Sequence, residues 1–110
     1  MMLNSDEIVE LQQKYRHLIN YQADDPTTPI DPLTYIDSNG DTLLHIAAML
    51  GDERTVTLLL KAGQDANCLG DMGYTALHYA QRNGNRAVAE ILVANGASTN
   101  IKNEFGQTPN

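Results

Sequence analysis

A single cysteine, Cys68, stands in a chain of 110 residues, so no internal disulfide can form, and the composition suits a reducing, cytoplasmic compartment. Long apolar stretches are missing too: nothing reaches the roughly 18 residues needed to cross a bilayer. The opening segment, MMLNSDE, carries acid where a secretory leader carries base, and the chain reads as soluble and unsecreted. Base is scarce throughout, with seven Lys and Arg against 14 Asp and Glu and a net charge of −7. Nucleic acid and anionic membrane both demand positive potential, so neither is expected as a partner, whereas a basic protein is. The acid is concentrated at one end: residues 1–41 hold eight acidic side chains against Lys14 and Arg16, while residues 42–110 hold six acids and five bases.

The motifs of chemistry are lacking as well. There is no phosphate loop and no dinucleotide fingerprint. No His, Cys and carboxylate set has metal-ligand spacing. The segment DSNGD opens like a calcium loop, but the twelfth position counted from Asp37 is Ala48, where such a loop requires a bidentate Glu. Ser5, Ser38 and Ser98 sit in cap or turn contexts without a visible base and orienting acid. Cys68 reads as a packed thiol. The expectation is a non-enzyme that uses neither metal nor cofactor.

What the chain does have is repetition. NGDTLLHIAAMLGD (residues 39–52) and MGYTALHYAQRNGN (residues 72–85) are the same pattern displaced by 33 residues. Gly40, Gly73 and Gly106 share that spacing, as do Thr42, Thr75 and Thr108, and His45 recurs as His78. Each copy closes on a second echo, LLLKAGQDAN (residues 58–67) against ILVANGASTN (residues 91–100). In each unit a Thr starts a short helix, a Gly stops it, and a second helix follows before another Gly. The pattern predicts helices over 42–50, 53–62, 75–82 and 86–95.

A 33-residue unit built on G-x-T-x-L-H-x-A and ending in G-x-x-x-N resembles the ankyrin repeat, over about residues 36–110. The resemblance implies an all-α solenoid of stacked helix-turn-helix units: one repeat at 36–69, a second at 70–102 and the turn of a third at 103–110. It also implies that His45 and His78 bond to backbone groups of the adjoining turn and bind no metal. Two departures stand out. Leu43 and Ala76 occupy the place where the family pattern has Pro, and Gln81 replaces a small Ala, which predicts looser or hydrogen-bonded packing toward a third repeat.

Ankyrin-like proteins bind other proteins through turn tips and the concave face of the first helices. By register those positions are Ile36, Ser38, Asn39, Asp41, Met49 and Leu50 in the first repeat and Leu69, Asp71, Met72, Tyr74, Arg82 and Asn83 in the second. The partial third adds Lys102, Glu104, Phe105 and Gln107. Apolar tips ringed by acid resemble a hot spot with a polar rim. A short acidic chain of this kind is also similar to the immunity proteins that neutralise bacterial polymorphic toxins, which implies a basic toxin as the partner. The other reading is a general adaptor or regulatory subunit.

Ahead of the repeats, residues 4–21 predict an amphipathic capping helix with Asn4 and Glu7 as a capping box, Leu3 and Ile8 as its staple, and Ile8, Leu11, Tyr15, Leu18 and Ile19 as its buried stripe. Pro26, Pro29 and Pro32 then break the chain into a linker that completes the N-terminal segment 1–35. At the other end, parts of Ala80, Ala87, Val88 and Ile91 are expected to lack cover. That face is expected to meet a partner, a second copy of the chain, or residues of a longer chain.

Overall fold

The computed structural model describes residues 3–109; residues 1–2 and 110, at the edges of the expected cap and partial third repeat, lie outside the described residues. Five helices follow one another: α1 (Ser5–Lys14), α2 (Leu43–Leu50), α3 (Glu53–Lys61), α4 (Ala76–Arg82) and α5 (Arg86–Ala94), with a 3-10 turn at Asp71–Gly73. α2 and α3 form one antiparallel pair and α4 and α5 the next. The pairs stack in register, α2 against α4 and α3 against α5. Ala47, Ala48 and Ala80 are wholly buried and let the inner helices approach closely, while Val56, Leu59, Leu77, Val88 and Leu92 fill the space between the layers.

Both inner helices start in the same way. The Thr42 N–H donates to His45 Nδ1 (3.1 Å), and the Thr42 hydroxyl lies 2.8 Å from the same nitrogen. Thr75 and His78 repeat this at 3.0 and 2.8 Å. With Nδ1 accepting, Nε2 carries the proton and donates across the stack: His45 to the Cys68 carbonyl (2.9 Å) and His78 to the Gln107 carbonyl (2.8 Å). The histidines therefore join each helix start to the next turn, as the resemblance implied. Leu43 and Ala76, in place of Pro, are both buried at the helix start, so packing fixes a conformation that proline would have preset. Gly51, at φ 74°, closes α2 in the left-handed conformation, which a side chain would resist.

The outer helices differ in their caps. Asp52 caps α3 through the Thr55 N–H (3.1 Å) and also accepts from the Tyr15 hydroxyl (2.7 Å) and Lys14 Nζ (3.3 Å), which docks α1. Asn85, 33 residues on, gives α5 no side-chain cap. Its amide donates instead to the Ala48 and Met49 carbonyls, both at 2.9 Å, closing the end of the preceding α2.

α1 is shorter than expected. The Asn4–Glu7 capping box is present, but the helix ends at Tyr15, whose buried ring and Asp52 bond turn the chain. Leu18 is half-buried, while Ile19, expected in the stripe, is 50% exposed because the turn has broken the helical register. The proline-rich segment is strapped down by the Gln12 amide to the Ile30 carbonyl (2.9 Å), Asn20 to Pro29 (3.1 Å) and Gln64 to Leu33 (3.2 Å), with Ile30 and Tyr35 buried in the core.

The far end departs from expectation too. Ala80 and Val88, expected to lack cover, are 0% and 1% exposed. Val88 and Leu92, one turn apart on α5, share the face that packs inward, and Ala87 and Ile91 fall on the adjoining face, exposed and half-buried respectively. Gln81 is exposed and, with Tyr74, His78, Arg82 and residues 106–109, lines a cavity of about 640 Å³.

Burial holds the His45 imidazole below its usual 6.5, and protonation at Nδ1 would break the bond from the Thr42 N–H, leaving only the hydroxyl free to reverse and accept. Burial also raises the Tyr15 and Tyr79 hydroxyls above their usual 10.0, with the Asp52 and Asp41 carboxylates adding to the effect. Below about pH 6.5 the unfolded chain takes up a proton that folded His45 resists, so stability falls as pH falls. Above about pH 10 the unfolded chain releases protons that the two tyrosines keep, so stability falls as pH rises. Urea denaturation across pH 4–11 is expected to show a plateau between those limits. Replacing His45 or His78 by Ala should lower the unfolding free energy by about 1–3 kcal/mol, none of it restored by zinc.

Candidate protein-interaction surface

The three turns between repeats are built on one plan with one exception. In the first, Asp37 Oδ1 accepts the N–H groups of Asn39 and Asp41, each at 2.9 Å. In the third, Asn103 Oδ1 does the same for Phe105 (2.9 Å) and Gln107 (3.0 Å). The second turn has Gly70 at the matching position and no such side chain. Asp41, from the preceding repeat, reaches across and accepts the Asp71 N–H at 2.9 Å. A Cβ on Gly70 would run into that carboxylate, so glycine is required there by space. The Tyr79 hydroxyl also donates to Asp41, 3.0 Å from each oxygen. Asp41 is only 4% exposed, and these donors are what makes burying its charge tolerable.

Asp41 was expected at the binding face and is turned inward instead, a structural tie between repeats. Sequence reasoning also missed Tyr79. Its signal was a hydroxyl-bearing aromatic where the first copy has Ile46, 38 residues from an acid at the free position between Gly and Thr.

The remaining expected residues fall into two groups. On the turns, Leu69, Met72 and Phe105 are 57%, 49% and 63% exposed, and Ile36, Ser38, Asn39, Lys102, Glu104 and Gln107 are exposed, while Asp71 and Tyr74 are half-buried. The Glu104 N–H donates to the Met72 carbonyl (3.0 Å), and Gly73 packs against the Glu104 backbone, so the second and third turns are pressed together. The Tyr74 ring stacks on Tyr79 at 5.3 Å between centroids and lies 6.4 Å from Phe105. At the helix ends, Met49, Leu50, Arg82 and Asn83 are exposed. Arg82 bridges the groups, its guanidinium carbon 5.6 Å from the Tyr74 ring centroid.

The arrangement offers apolar anchors on rigid turns. Among the described residues, no three His, Cys, Asp or Glu side chains gather as a metal site, and no helix is long and apolar enough to cross a membrane.

Stacked helix pairs tied through Thr-x-x-His define an ankyrin-type solenoid, and the chain belongs to that family: the family model described as ankyrin repeats (3 copies) matches residues 3–103. The match begins before α1. Similar curated proteins include an ankyrin and IPT/TIG repeat-containing protein of Schizosaccharomyces pombe, 34% identical over 77% of this chain and 8% of its own length. Protein phosphatase 1 regulatory subunit 12A of Mus musculus is 39% identical over 64% of this chain and 7% of its own length. A putative ankyrin repeat protein of fowlpox virus is 44% identical over 62% of this chain and 20% of its own length. The chain thus spans a fifth or less of each of these relatives.

The borrowed carboxylate gives a direct test. Gly70→Ala should destabilise the chain by about 2 kcal/mol through the clash with Asp41, and part of that loss should return when Asp41→Ala is added. Urea unfolding of the two single variants and the double variant measures the coupling.

Proposed function

We propose that this chain is a non-catalytic interaction module that binds another protein through its turn tips and the exposed ends of α2 and α4. The observation carrying this reading is the set of large apolar side chains, Leu69, Met72 and Phe105, held about half or more exposed on the turns. Ankyrin repeats are protein-interaction modules, generally without catalytic activity, and likeness to a protein phosphatase regulatory subunit supports a regulatory or adaptor role over toxin neutralisation. In this reading residues 1–35 serve as cap and linker, 36–69 and 70–102 as the two repeats, and 103–110 as the start of a third.

Charge supports a basic partner. From residue 17 to residue 53 the chain carries seven acidic side chains and no Lys or Arg, and this stretch includes the whole first turn. Such a field speeds encounter with a cationic surface more than it tightens the final complex.

Affinity capture from the native host with mass spectrometry identifies the partner, and calorimetry then tests the surface. Phe105→Ala is expected to weaken binding by more than about 1 kcal/mol with the melting temperature unchanged. The association rate should fall as salt rises. Unchanged affinity removes the third turn from the interface, and a rate indifferent to salt removes the electrostatic part.

A further inference from the structure

Met72 is the one residue other than glycine, among those described, with a positive φ, at φ 53° and ψ 26°. An unbranched side chain is disfavoured in that left-handed conformation, which Asn and Gly adopt more readily. The matching residue of the first turn, Asn39, does not share that conformation, so the strain belongs to the second turn alone. The second turn is forced into this shape from both sides: Asp41 takes the place of a side chain at Gly70, and the third turn bonds to the Met72 carbonyl. Residues held in such sparsely populated backbone conformations cluster at ligand contacts and switch regions, and this one is half exposed on a turn that two neighbours fix.

Its surroundings define what it meets. Asp71 precedes it and Glu104 lies against its backbone, while Phe105 is next in the adjoining turn. From residue 62 to residue 81 there is no Lys or Arg, and Arg82 is engaged over Tyr74. An apolar tip that follows one acid in the chain and meets the backbone of a second, Glu104, complements an apolar side chain next to a cationic one.

Resting on the turn-tip reading above, we propose that Met72 is the principal anchor of the surface, and that its ligand is a partner segment carrying an aliphatic or aromatic side chain beside Lys or Arg. The flexible thioether suits such a contact, since it adapts to the shape of an incoming apolar group. The strain makes the anchor separable from the fold. Met72→Asn keeps the turn and relieves the backbone, so it should melt higher, by about 4 °C, while binding fails.

The test is selection from a random twelve-residue peptide library displayed on phage, run on the full chain and on Met72→Asn in parallel. Expected are peptides pairing an apolar residue with Lys or Arg, bound at least tenfold more weakly by Met72→Asn, with affinity falling as salt rises. No enrichment, an acidic consensus, or peptides bound equally by Met72→Asn overturns the proposal. So does a lower melting temperature for Met72→Asn, which would make Met72 a packing residue. Peptides that lose binding to Phe105→Ala but keep it to Met72→Asn leave the turn-tip reading standing and remove Met72 from it.

Discussion

Each buried histidine does two jobs with two nitrogens, and the stacking of this chain depends on both. Nδ1 accepts from the threonine that begins the helix, and Nε2 gives its proton to a carbonyl in the following turn. The first bond fixes where a helix starts. The second ties that helix start to the turn of the next repeat. A neutral imidazole accepts on one edge of a rigid plane and donates from the other. Helices of seven to nine residues, too short to persist alone, become stable only when such ties join them to a neighbour's packing.

Much of this was legible in the sequence because the constraint is local. Thr-x-x-His lies within one helical turn, and Gly51 ends α2 where the pattern stops, so four helices fell within a residue or so of where the repeat put them. The Asn4–Glu7 box marked the start of α1 for the same reason. Its end was not legible, since Tyr15 stops the helix by bonding Asp52, 37 residues away. The open end was misjudged at Ala80 and Val88, which face inward, while Ala87, one step of rotation from Val88, is exposed as expected.

The candidate surface was half legible. Register carried Leu69, Met72 and Phe105 to turns where they are exposed, because turn positions are set by the repeat, while Tyr74 is half-buried. It could not carry the fate of Asp41, whose position tolerates any residue in the pattern and is decided by Tyr79 and by the absence of a side chain at Gly70. The same physics that makes the repeats alike hides what makes them different: a long-range bond leaves no periodic trace.

That borrowed carboxylate bears on how such an array can grow. Repeat proteins lengthen by copying a unit and setting the copy beside the original, which works when every unit presents the same edges to its neighbours. The second repeat here does not. Its turn needs an acid from the unit before it, yet at the position that would supply one to a following copy it carries Tyr74. A duplicate of the second repeat placed after itself would find an aromatic ring where its own turn requires a carboxylate. The two repeats are therefore not interchangeable units: the second is built to follow the first.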